Sequence, residues 1–101
     1  MAEIILVSWR DIPAQVIARA GRSTAKRVLA GRFQEAIDRA AMRAGLRDSD
    51  AYLAEWRRSA LRPCGDDLDA EATSAAGTIE ADYTDERLRA LVANGGSEPQ
   101  P

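Results

Sequence analysis

The sequence predicts an α+β domain: a small, mainly antiparallel sheet with two or three helices packed on one face. Three observations lead there. A β-branched and aromatic run, Ile4 to Trp9, precedes an alternating segment, Gln15 to Ala20. Leu29, Phe33, Ala36, Ile37, Ala40, Ala41 and Ala44 recur at helical spacing. A second helical stripe, half of it alanine, runs from Leu68 to Tyr83.

Ile4-Ile5-Leu6-Val7-Ser8-Trp9 reads as a strand buried on both faces. Asp11-Ile12-Pro13 reads as its break, because proline lacks an N–H and restricts the residue before it. In Gln15 to Ala20, Val16, Ala18 and Ala20 share one face, and Gln15, Ile17 and Arg19 the other. Gly21-Arg22-Ser23 is then a turn, and the two strands form an N-terminal hairpin. Thr24 to Leu29 supports two readings, a third strand or the start of a helix. The strand is preferred, because Gly31 would interrupt such a helix.

From Arg32 an amphipathic helix runs to Gly45, a residue suited to the position after a helix end. Asp48 to Arg58 again supports two readings. Asp48 or Ser49 caps a short helix, or Tyr52, Ala54 and Trp56 alternate with Leu53, Glu55 and Arg57 in a strand. The strand is preferred, since both aromatics then point one way. Pro63 and Gly65 close the segment. Asp66-Asp67-Leu68-Asp69 opens the next helix, with carboxylates where the macrodipole favours them. Thr84-Asp85-Glu86 starts another, which places Leu88, Leu91 and Val92 inward and stops at Asn94-Gly95. Residues 1–95 therefore form one domain. Residues 96–101 contain no apolar side chain and are expected to be a disordered tail.

The chain has 101 residues, of which 20 are alanine and only 19 are Leu, Ile, Val or Phe. Its core must be thin. It has no histidine and one cysteine, so alone it builds no zinc site, haem ligand set, iron–sulfur cluster or Ser-His-Asp triad. No cofactor, metal or catalytic residue is assigned. Net charge is −2, but it is unevenly spread. Residues 1–63 hold 12 basic and 7 acidic side chains, and residues 64–101 hold 2 and 9. The simplest reading is that the acidic part folds back on the basic body. A basic face for an acidic partner and a nucleic-acid surface are the alternatives. No run of 18 apolar residues spans a membrane, and Met1-Ala2-Glu3 lacks a signal-peptide basic region. A cytoplasmic protein is expected.

Cys64 precedes a helix, which lowers a thiol pKa, but Asp66 and Asp67 act the other way and no histidine serves as base. The pairs Asp66/Asp67 and Asp48/Asp50 are explained by capping. No glycine spacing fits a phosphate loop. The pairs Trp9-Arg10 and Trp56-Arg57-Arg58 carry more interest. Each ends a candidate strand, and Trp and Arg dominate binding hot spots. If the two strands are neighbours, Trp9, Arg10, Asp11, Trp56, Arg57 and Arg58 form a rim for a protein partner. The competing reading puts both indoles in the core, with the arginines paired to Asp11 and Glu55.

The segments Val7 to Val16, Phe33 to Arg43 and Tyr52 to Arg58 together resemble a small bacterial family described as "virulence factor". The resemblance covers about residues 3–85. It brings no catalytic or cofactor-binding residues with it. It implies an accessory role beside corrinoid- and folate-dependent methyl transfer, with methyltransferase components as candidate partners. The absence of histidine removes one role there, that of a carrier ligating cobalamin through histidine. The expected function is therefore a non-enzymatic protein-binding module. An arginine-rich nucleic-acid binder and a small enzyme using Cys64 or its acidic neighbours are the alternatives.

Overall fold

The computed structural model describes residues 2–46 and 50–98. Strands β1 (Ala2–Trp9), β2 (Ile12–Ala20) and β3 (Ser23–Val28) come first. Helices α1 (Gly31–Arg43) and α2 (Asp50–Ala54) follow, then strand β4 (Trp56–Cys64) and helices α3 (Leu68–Asp82) and α4 (Asp85–Ala93). The strands form one antiparallel sheet in the order β3-β2-β1-β4. The α+β class is as predicted, and β3 is the strand preferred for Thr24 to Leu29.

Two elements differ from the sequence reading. Ile12 and Pro13 begin β2 instead of breaking it, and the hairpin loop is only Arg10-Asp11, with Arg10 at φ 51°. Proline is tolerated because pairing is already irregular there. Val7 faces Gln15 but Ser8 faces Pro13, so Ala14 is an extra residue in β2. On the other side of β2, pairing with β3 starts only at Gln15. The Ala14 carbonyl, freed from the ladder, accepts from Leu29 N–H at 3.0 Å. The second difference is Asp48 to Arg58. Asp50–Ala54 is helical and the strand begins only at Trp56, because Tyr52 and Trp56, four apart, fold onto each other (6.2 Å between rings). The capping alternative at Asp48 or Ser49 lies outside the described residues.

The alanine stripes explain how helices and sheet meet. Ala36, Ile37, Ala40 and Ala41 of α1 and Ala72, Ala75 and Ala76 of α3 share one core with Ile4, Val16, Ala18 and Ala25. Methyl side chains let the helix axes approach the strands closely, so few large residues suffice. On the reverse face, Ile5 and Ile17 face each other across β1 and β2 and are buried too. Helix α4 packs on α1 through Leu88 and Leu91.

Ion pairs Arg27–Asp69 (3.2 Å), Arg32–Asp85 (3.5 Å) and Arg62–Glu71 (4.0 Å) join the acidic C-terminal part to the basic body. Each is partly exposed and worth at most about 1 kcal/mol. They orient α3 and α4 more than they hold them.

Residues 96–98, read from sequence as the start of a free tail, are docked on the first hairpin. Gly96 carbonyl accepts from Asp11 N–H at 2.9 Å, and the Asp11 carboxylate accepts from Glu98 N–H at 2.7 Å. The absence of apolar side chains did not prevent this, because the docking uses backbone groups. Residues 99–101 lie outside the described residues.

Candidate functional site

Strands β1 and β4 are neighbours, and Trp9 stands opposite Trp56 in their register. The two Trp-Arg pairs therefore do lie side by side, but the six residues have different surroundings. Trp9 is fully buried, its Nε1–H donating to the Tyr52 carbonyl at 2.9 Å. It offers no surface to a partner. Trp56 is half-buried, and the Tyr52 ring lies between the two indoles, 5.6 Å from Trp9 and 6.2 Å from Trp56.

Arg10 is tied to the chain on three sides. Its N–H donates to the Glu55 carbonyl, its Nη1 to the Gly95 carbonyl at 2.9 Å, and its guanidinium lies 5.1 Å from the Trp9 ring centre. Glu55 Oε2 sits between Arg10 Nε (3.5 Å) and Arg57 Nη2 (3.6 Å). Asp11 holds the C-terminal segment. Arg57 and Arg58 are exposed. The rim thus divides into an inner structural part, Trp9, Arg10 and Asp11, and an outer part that faces solvent.

The outer part continues into a feature absent from the sequence reading. β4 lies at one end of the sheet, and among the described residues no further strand pairs with it. Seven consecutive residues of this nine-residue strand, Arg57 to Pro63, are exposed. They include Arg57, Arg58, Arg62 and the 48% exposed Leu61, which is an extra residue relative to β1. Such an edge presents a row of outward backbone donors and acceptors about 30 Å long, interrupted at Pro63, which has no N–H and whose carbonyl accepts from Arg62 Nη1 at 3.3 Å. Glu55 is the partner that the competing reading gave the arginines, whereas the roles of Tyr52 and Gly96 escaped the sequence reading. Only Tyr52 left a signal, its four-residue spacing from Trp56.

The catalytic candidates have structural surroundings. Burial, and after it the Glu71 carboxylate, pushes the Cys64 thiol up from its ordinary value, opposite to what a thiolate nucleophile needs. Asp67 Oδ1 caps α3, accepting from Ala70 N–H at 3.2 Å. No group of three or more metal-capable side chains occurs among the described residues. No helix among them is long and apolar enough to cross a membrane.

A family model described as "Virulence factor" matches residues 7–92. No curated protein and no solved structure matches the chain.

Proposed function

The chain belongs to the virulence-factor family, and on that premise we propose that it is a non-catalytic binding module whose working surface is the open β4 edge. The observation that carries this is the exposed, arginine-bearing run Arg57 to Pro63 on an edge strand whose outer side pairs with no further strand among the described residues. An extended segment of a partner adds to such an edge through main-chain hydrogen bonds, and the flanking side chains choose the sequence. Here Arg57, Arg58 and Arg62 select for acidic residues and against a second copy of the same strand. The partner proposed is a protein component of corrinoid- or folate-dependent methyl transfer, the association that the family resemblance implies. The half-buried Trp56 closes one end of the surface.

The test is site-specific photo-cross-linking in the native cell, with the photoreactive residue at Ser59 or Ala60 and a control at Gln34 on α1. Expected is an adduct from β4 to an acidic segment of a methyl-transfer protein, absent from Gln34. It is lost in Arg57→Glu/Arg58→Glu, a change at two exposed positions that leaves the fold intact. Adducts of equal yield from Gln34, or cross-links to nucleic acid, overturn the reading. An acidic protein segment from another system keeps the β4 surface and overturns the methyl-transfer assignment.

A further inference from the structure

Helices α1 and α4 run in the same direction. At their start Arg32 donates to the Tyr83 carbonyl and pairs with Asp85 (3.5 Å), and at their end Arg43 Nε donates to the Ala93 carbonyl at 3.1 Å. Between these clasps the helices leave a trough of about 480 Å³. Its lining on α1 runs from Arg32 to Arg43, about 16 Å at 1.5 Å per residue. Its apolar lining includes the partly exposed Val92 with the buried Ala36 and Leu88 of the core.

Arg39 on one bank and Arg89 on the other lie midway along it, and the side chain of neither makes a hydrogen bond or ion pair among the described residues. The charged lining is four arginines against Glu35 and Asp85, a net of +2 in a protein of net −2. Asp85 is engaged by Arg32, so Glu35 is the one carboxylate of the lining without an ion pair among the described residues, one helical turn before Arg39.

We propose that this trough is a second binding site, separate from β4, that takes an acidic amphipathic helix of a partner protein. Three features select that occupant. The site runs about 16 Å along α1, which suits two to three turns of helix better than a compact metabolite. Its apolar lining accepts a stripe at i, i+3, i+4 and i+7. Its free guanidiniums stand on both banks, where carboxylates flanking that stripe would meet them. Arg32 and Arg43 are held to the backbone and fix the walls.

The test places a photoreactive residue at Glu35 in the full chain, with a control at Ser74 on the exposed side of α3, and sequences the cross-linked peptide. Expected is a segment with apolar residues at helical spacing and carboxylates beside them. Its yield falls at least about tenfold in Arg39→Glu/Arg89→Glu and persists in Arg39→Lys/Arg89→Lys. Arg57→Glu/Arg58→Glu leaves it unchanged, so failure here is distinct from failure of the β4 reading. Circular dichroism confirms that each variant folds. No adduct above the Ser74 control, an adduct to a second copy of this chain, or one indifferent to charge reversal overturns the proposal. So does competition of the adduct by millimolar pyrophosphate alone, which would identify a small-anion site.

Discussion

Gly96 locks the C-terminal segment to the first hairpin. It sits at φ +98°, and a Cβ there would lie 2.7 Å from Cζ3 of Trp9. Left-handed backbone and collision with a buried ring act together, so Gly96→Ala is expected to cost about 2–4 kcal/mol. Denaturant unfolding followed by tryptophan fluorescence measures it, and an unchanged midpoint would show that the segment is not docked. Trp9→Ala is a poor probe of binding for the same reason. Removing a fully buried indole costs about 3–5 kcal/mol, a large part of a small domain's stability. At this scale the sequence revealed which residues are core where the pattern is local, as at Ala36 and Val16. It could not reveal that Trp9 is sealed. Part of its seal is Tyr52, and part is Gly96, a residue 87 positions away and without a side chain.

The helix ends were legible because their chemistry is local. α1 ends with Leu46 N–H donating to the Ala41 carbonyl and Gly45 N–H to that of Met42. α4 ends likewise, with Gly96 N–H to Leu91 and Gly95 N–H to Val92. Both are Schellman closures, with a glycine of positive φ after the cap. The short helix α2 was not legible. Five residues carry too little periodicity to separate helix from strand, and the Tyr52–Trp56 contact decides between them. Gly77 tests an element without touching the core. It lies within α3, is exposed, and nothing stands within 4 Å of where its Cβ would be. Gly77→Ala is therefore expected to stabilise the domain by about 0.5–1 kcal/mol, the opposite sign to Gly96→Ala. Thermal unfolding of the two variants beside the wild type reads both. A loss of stability at Gly77 would mean that α3 is bent or packed there.

For the whole molecule, net charge conceals the surface. The acidic C-terminal part covers one side of the basic body through Asp69, Glu71 and Asp85, leaving Arg57 and Arg58 on the sheet edge and Arg39 and Arg89 in the trough exposed. The asymmetry along the sequence was readable. Which arginines would stay uncovered depended on the strand order, which places β4 rather than β1 at the edge. That order also creates a hazard, since a nine-residue edge strand with seven exposed residues and Leu61 at its bulge can pair with its own copy. The arginines oppose this, because two such strands bring like charges face to face. Neutralising them in Arg57→Gln/Arg58→Gln/Arg62→Gln is expected to raise the weight-average mass in sedimentation as concentration increases. The matched Arg→Glu triple variant restores like-charge repulsion with the opposite sign, so it should sediment as the wild type does. Identical behaviour of all three would mean that the bulge and Pro63 alone protect the edge. A common increase in both variants would mean that arginine itself, not charge, keeps the copies apart.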